Sequence, residues 1–410
     1  MNFPVEAAVY EPPKSTAPKT NPRAAVQRIG QLTVGLAAMQ QLLMLCVGIV
    51  IDHFQHHRIL WRGLFIQNLS QWDSGWLLQI AQHGYTDIAH TAFFPLYPAL
   101  IWLLHLATGI GDTVCGLLLS LASFLVALFV FGLWANQQFG WRTAWLGMTL
   151  LALFPTAFFF RAVYTESLFL ALSVLGVYAS SRGRFGTAGL CVGLAALTRN
   201  TGIFLTVILL FDYVADRGIG WRWWTRAWWA GLNLRALRLA VPVVCLAAYL
   251  VWLKVHTGYY LAFTHAEKLW NRTYMAPWET LWRALVQLTH PHGGALLPYH
   301  ALEFLCWLLL LLGFLAGLRF ARSSAHQRGT LIYFLAFLCI VTATPAGTGP
   351  GQQNWDYLLS VPRFDLAMYP MFAYLAHRLR SRTACVCAVA VSVLAFCVVY
   401  GSFCAGSFIA

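Results

Sequence analysis

Charge is what this chain has least of. Only 10% of its residues are Asp, Glu, Lys or Arg, where a soluble domain carries roughly 25%, so an ordinary water-facing surface is excluded. Hydrophobic residues make up 59% of the sequence, and its mean hydropathy is +0.64. The 410 residues hold many apolar runs near the roughly 20 residues that cross a bilayer. One integral membrane domain accounts for nearly all of the chain, with no separate soluble domain. Also missing are an H-E-x-x-H pair, a P-loop and a dinucleotide-binding glycine fingerprint. A nucleotide-driven transporter or a cytosolic nucleotide-sugar enzyme therefore has no footing. The ten cysteines are scattered, mostly inside apolar runs, and Cys385 with Cys387 makes only a C-x-C. They read as small apolar residues rather than disulfide or metal ligands.

Acids are scarcer than bases, 14 against 27, for a formal charge of +13. That excess does not point to nucleic acid, because the basic residues fall in bursts between apolar runs. The bursts are Arg182 and Arg184, then Arg217, Arg222, Arg226, Arg235 and Arg238, then Arg319, Arg322 and Arg328, then Arg378, Arg380 and Arg382. Such clusters mark cytoplasmic loops under the positive-inside rule. Residues 1–30 are expected to form a disordered cytoplasmic tail containing Pro4, Pro12, Pro13, Pro18 and Pro22. The first apolar run, near Leu32 to Ile51, reads as a signal anchor.

The expected fold is an all-α polytopic membrane protein over 31–410. Crossings are expected near 31–52, 114–135, 142–160, 164–181, 186–198, 201–214, 237–255, 300–319, 328–344, 364–379 and 383–403, about eleven in all. The apolar stretch Pro95 to Thr108 is short for a span, and counting it as one would put every later Arg-rich loop outside. It is therefore expected as an interfacial or re-entrant helix in the first outer loop, 53–113. The runs flanking Thr198 and Gly202 are short enough to be broken helices around a cavity. With this topology the first outer loop, the second large outer loop at 256–299 and the turns near Glu166, Arg199 and 345–363 share one compartment.

Most acids outside the tail lie on that face, and Asp73 is the first candidate for chemistry among them. It follows the first span between Trp72 and Trp76, and an ionisable group at the bilayer edge is costly unless used. A hydroxyl acceptor needs a general base within reach, which Asp73 supplies; Asp-Ser-Gly-Trp could also cap a helix. Arg161 and Glu166 flank a hairpin between apolar runs and are expected to pair or to meet a ligand, with Tyr164 placed to hydrogen-bond a sugar or to anchor at the interface. Arg199, in Leu197 to Gly202, offers a guanidinium fork for a phosphate ester or a buried ion pair with Glu166, and Arg363, in Pro362-Arg363-Phe364, a second fork for phosphate or a helix-end anchor. His265, Lys268 and Arg272 near Trp270 are further candidates for a charged lipid headgroup. His53, His56 and His57 share a helix face without matching carboxylates, so no metal-ligand set and no cofactor are assigned.

Four stretches together resemble the PIG-V-like mannosyltransferases, the GPI mannosyltransferase 2 type. They are Trp72-Asp73 through Gly84-Tyr85, Phe93 to Pro98, Phe154-Pro155 with Tyr164 to Phe169, and Leu197-Thr198-Arg199 with Gly202. The half after about 215 adds mainly Pro362-Arg363-Phe364. The resemblance implies the GT-C glycosyltransferase fold and an enzyme taking mannose from a polyprenyl or dolichyl phosphate carrier on the extracytoplasmic side. It implies inversion at the anomeric carbon and Asp73 as base; from the residues' own chemistry, Arg199 and Arg363 are expected on the donor phosphate, and Trp72, Arg161, Tyr164, Glu166 and Lys268 as substrate contacts. The expected partners are that donor, a lipid, glycan or protein acceptor and the membrane lipids. A bacterial plasma membrane is the expected location ahead of the endoplasmic reticulum. The competing reading is a transporter or flippase of a lipid-linked sugar, which performs no chemistry.

Overall fold

In hydrocarbon every backbone amide must find its partner inside the protein, so long apolar runs of this composition fold as helices. The computed structural model describes residues 22–56, 61–219, 225–230, 232–289, 297–347 and 355–407. The amino-terminal half holds α1 (Pro22–His56), α2 (Trp61–Phe65), α3 (Asp73–His83), α4 (Leu96–Thr108), α5 (Asp112–Phe139), α6 (Trp141–Ala152), α7 (Glu166–Ser180), α8 (Phe185–Ala196) and α9 (Thr206–Asp216). There follow α10 (Arg226–Ala230), α11 (Val241–Thr257), α12 (Ala262–Glu267), α13 (Pro277–Thr289), α14 (Leu297–Gly317) and α15 (Ala325–Ala343). A two-residue antiparallel pair, β1 (Ala346–Gly347) with β2 (Trp355–Asp356), precedes α16 (Val361–Phe364), α17 (Tyr369–Arg378) and α18 (Arg382–Cys404).

Among the described residues six helical stretches are long and apolar enough to cross a membrane: 23–55, 112–139, 234–257, 299–320, 325–343 and 382–404. This is a multi-pass membrane protein. The other expected crossings are shorter helices joined by breaks, and the breaks have local causes. The run expected at 142–160 stops at Ala152, because Phe154-Pro155 cannot continue an α-helix, and resumes as a 3₁₀ turn at Ala157–Phe160. The expected break near Thr198 is present: α8 ends at Ala196, and the 3₁₀ stretch Asn200–Leu205 leads into α9. One boundary moves, since α1 begins at Pro22, so 22–30 are its first turns rather than part of a tail; proline suits a first helical turn. Residues 1–21 of the expected tail lie outside the described residues.

The core is built on α5, α6, α7, α8 and α17, which pack against one another, with α9 against α15 and α14 against α17. Its largest buried side chains include Trp134, Tyr164, Tyr369, Tyr374, Phe158 and Phe159. Small residues let helices approach closely, as in other membrane bundles. A Cβ on Gly132 would lie 2.5 Å from Met148 Sδ, and one on Gly313 would lie 2.7 Å from Met371 Cγ. The helix expected at the interface forms as α4, with Trp102, Leu103 and Leu106 exposed on one side and Tyr97 and Ile101 buried on the other.

Candidate functional site: a carboxylate and arginine cluster

Asp73 is placed by a loop clamped at several points. The Val163 amide donates to Leu69 O at 2.9 Å, the Tyr164 hydroxyl to Gln71 O at 3.1 Å, and the Ser74 hydroxyl to Val163 O at 3.0 Å. The chain enters α3 through Trp72 with φ +56° and ψ −117°, a conformation that is a true outlier for a bulky side chain. Asp73 is the first residue of the helix, so the cap position belongs to Trp72 and the capping role open to Asp73 in the sequence is not taken. Its carboxylate faces Arg363 instead, with Arg363 Nη1 2.6 Å from Asp73 Oδ2.

Arg363 also sits in a constrained turn. Ser360, three residues earlier, has φ +68°, and the Thr156 hydroxyl donates to Pro362 O at 2.5 Å. Arg363 Nε lies 3.2 Å from Glu166 Oε1, and the same oxygen accepts from Arg199 Nη1 at 2.7 Å. Burial opposes the charge of Arg363, and Asp73, Glu166 and Tyr164 outweigh it, so its pKa is raised. A two-carboxylate, two-guanidinium chain thus runs from Asp73 through Arg363 and Glu166 to Arg199. Its members come from four separate parts of the sequence.

A third guanidinium faces the same ring. Phe364 has Arg199 at 5.1 Å, Arg363 at 5.5 Å and Arg272 at 5.9 Å from its centroid. Arg272 donates to Thr344 O at 3.1 Å. Its electrostatic neighbours include Glu267, Arg363, Arg199 and Asp73. Burial lifts the Glu267 carboxyl above its usual range against the pull of Arg272.

Not every expected residue joins this cluster. Tyr164 does, as its ring lies 5.5 Å from the Arg363 guanidinium carbon. Trp72 is 44% exposed beside Asp73. Arg161 does not pair with Glu166; it donates to Gln41 Oε1 on α1 at 2.5 Å. Lys268 is exposed, and among the described residues no ion pair ties it to the cluster. Three other acids have local partners: Asp87 accepts from the Ala89 amide, Asp112 from Gln82, and Glu279 pairs with Arg283 one turn later on α13. Arg272, which the sequence grouped with Lys268, is the one of that pair brought inside. Phe364 as a shared platform had no sequence signal beyond its place after Arg363.

Arg199 depends on a close backbone approach. A Cβ on Gly202 would lie 2.5 Å from Ala195 C and Ala196 N, main-chain atoms at the end of α8. Gly202→Ala is therefore expected to push the Arg199 turn away from α8, lowering stability by about 1–3 kcal/mol. A drop in the thermal midpoint measured in detergent checks this; an unshifted midpoint contradicts it.

Fold and site together define a multi-pass helical membrane protein with a buried cluster of carboxylates and arginines reached from several loops. Residues 46–216 match the family model described as Mannosyltransferase (PIG-V), and over that stretch the chain is similar to the PIG-V mannosyltransferases. The segment includes Asp73, Glu166 and Arg199, whereas Arg272 and Arg363 lie beyond it. GPI mannosyltransferase 2 of Yarrowia lipolytica is 29% identical over 151 residues, which cover 36% of this chain and 41% of that enzyme. GPI alpha-1,6-mannosyltransferase 2 of Rattus norvegicus is 35% identical over 152 residues, 35% of this chain and 31% of that enzyme. The matched stretch thus spans less than half the length of these curated relatives. Among solved structures, ArnT from Cupriavidus metallidurans bound to undecaprenyl phosphate is similar at a TM-score of 0.46 and 18% identity, over 84% of this chain and 61% of that one.

Proposed function

We propose that the protein is a GT-C glycosyltransferase that moves mannose from a polyprenyl or dolichyl phosphate carrier to a hydroxyl acceptor, with inversion at the anomeric carbon. The observation that carries this reading is the 2.6 Å contact between Asp73 and Arg363. It couples the candidate base to the candidate phosphate ligand. The family match over 46–216 supports mannose as the sugar. The acceptor is a lipid, glycan or protein hydroxyl, and the site faces the extracytoplasmic side.

In the proposed reaction the acceptor oxygen forms a bond to the anomeric carbon and gives its proton to Asp73. The bond from that carbon to the phosphate oxygen breaks, and its electron pair leaves with the phosphate. Negative charge therefore moves from Asp73 to the departing phosphomonoester, while the total on the two groups stays constant. Arg363 begins on Asp73 and ends on phosphate without leaving the cluster. Arg199 and Arg272 add fixed positive charge where it develops, and such preorganised stabilisation is usually the largest catalytic contribution. The leaving phosphate needs no second acid. Glu166 holds Arg199 and Arg363 in register.

Purified protein given radiolabelled polyprenyl phosphate mannose and membrane lipid extract is expected to yield a labelled product whose mass rises by one hexose. Release of free mannose only, or movement of intact donor across vesicles without product, overturns the proposal. Within the same assay Arg272→Ala is expected to weaken donor affinity about tenfold or more, consistent with loss of a charge-assisted contact. Lys268→Ala is expected to leave it unchanged. Equal effects from the two variants would remove Arg272 from the phosphate site.

A further inference from the structure

A second group of ionisable side chains lies one turn behind the Arg363 loop. His300 and Glu303, one turn apart on α14, meet Asp356 of β2, and all three are buried. His300 Nδ1 lies 3.2 Å from Glu303 Oε2 and 3.6 Å from Asp356 Oδ2. One imidazole thus faces two carboxylates at relative exposures of 6%, 1% and 1% for His300, Glu303 and Asp356. The second oxygen of Glu303, Oε1, is buried without a hydrogen-bond partner, as is the hydroxyl of adjacent Tyr299.

The molecule contains its own comparison. On α9 and α15, Asp212 and His326 form another buried carboxylate and imidazole pair, 3.0 Å apart. There the count is one to one: Ser180 donates to Asp212 Oδ2 at 2.7 Å, and Trp134 Nε1 donates to His326 Nε2 at 2.9 Å. That network satisfies its hydrogen-bonding atoms. The group on α14 and β2 does not, since its two acids share a single imidazole and Glu303 Oε1 is left without a partner. Two adjacent carboxylates buried in a membrane protein are neutralised by a retained proton or by a bound cation.

We propose that His300 Nδ1, Glu303 and Asp356 bind one divalent cation, of which Zn²⁺ fits the donor set and spacing best. Tetrahedral zinc with bonds of about 2.0–2.2 Å has ligand-to-ligand edges of about 3.3–3.6 Å, and the distances from His300 Nδ1, 3.2 and 3.6 Å, lie at the two ends of that range to within about 0.1 Å. Metal on Nδ1 puts the ring proton on Nε2, so the Gln287 amide, whose Nε2 lies 3.1 Å from His300 Nε2 and 2.9 Å from Trp355 O, turns its oxygen to that N–H when the cation binds. Outer contacts of this kind fix the ring of a metal ligand. The cation is structural: Asp356 also accepts from the Leu358 amide at 3.2 Å, and the turn that follows leads through Ser360 to Arg363. Bound metal would pin that turn to α14 whatever sugar the neighbouring site handles.

The test uses the full-length protein in detergent with any polyhistidine tag removed. Elemental analysis is expected to find close to one zinc per chain, falling to background in Glu303→Gln and in Asp356→Asn. Chelation of the wild-type protein is expected to lower its thermal midpoint by several degrees, and Zn²⁺ alone is expected to restore it. The chelation arm keeps the proposal testable if a variant does not fold. Metal content at background in wild type with no response to chelator or to added Zn²⁺ overturns the site, as does full metal content in both variants.

Discussion

Asp73→Asn is expected to lower transfer by about 10²–10⁴-fold, the span that a general base contributes, while donor binding persists. The substitution removes the proton acceptor and little else. An asparagine carbonyl can still accept from Arg363, and Arg363 keeps Glu166 at 3.2 Å, so no guanidinium is stranded in the buried cluster. The clamps on the loop do not use the Asp73 side chain, since they run from Val163, Ser74 and Tyr164 to its neighbours. The thermal midpoint should therefore change little. Initial rates with labelled donor, alongside donor binding and thermal unfolding of the same preparation, separate these effects. Turnover near the wild-type rate removes Asp73 from the chemistry, and a collapsed midpoint would assign it to structure instead.

What could be read from the sequence was what hydropathy and charge encode. The helical membrane class followed from apolar runs, and the break after Thr198 followed from two runs each too short to span. Asp73 stood out because it is an acid set between tryptophans at the end of a span. Arg363 stood out too, but not as the partner of Asp73, because it lies 290 residues away and nothing in spacing reports which distant loops meet. The same limit hid the neighbour of Arg161, whose nearness to Glu166 in the chain suggested a pair or a ligand contact, whereas it donates to Gln41 on α1. It also concealed the group on α14: His300 and Glu303 are one turn apart, but Asp356 arrives from a different loop, so no metal-ligand motif was legible. Helix interruptions at Phe154-Pro155 were underread because the surrounding composition is as apolar as an unbroken span.

Arg363→Ala should reduce both donor affinity and turnover, with the rate falling about 10²–10³-fold as when one preorganised donor is removed from a charge-stabilising site. Here the structural consequence must be separated from the chemical one. Arg363 lies between Asp73 and Glu166, at 2.6 and 3.2 Å, and deleting a partner from a buried ion pair costs about 3–5 kcal/mol because a carboxylate is left uncompensated. Loss of activity in the single variant is therefore ambiguous. The double variant Asp73→Asn with Arg363→Met removes one charge of each sign and restores balance. It is expected to recover most of the thermal midpoint lost in Arg363→Ala and none of the transfer activity. Adding a glycosyl acceptor in excess should not rescue it, because the missing elements act on the proton and the phosphate rather than on acceptor binding. If the double variant regains turnover together with stability, the contact between Asp73 and Arg363 serves only to hold the loops together, and the proposed movement of charge from carboxylate to phosphate fails.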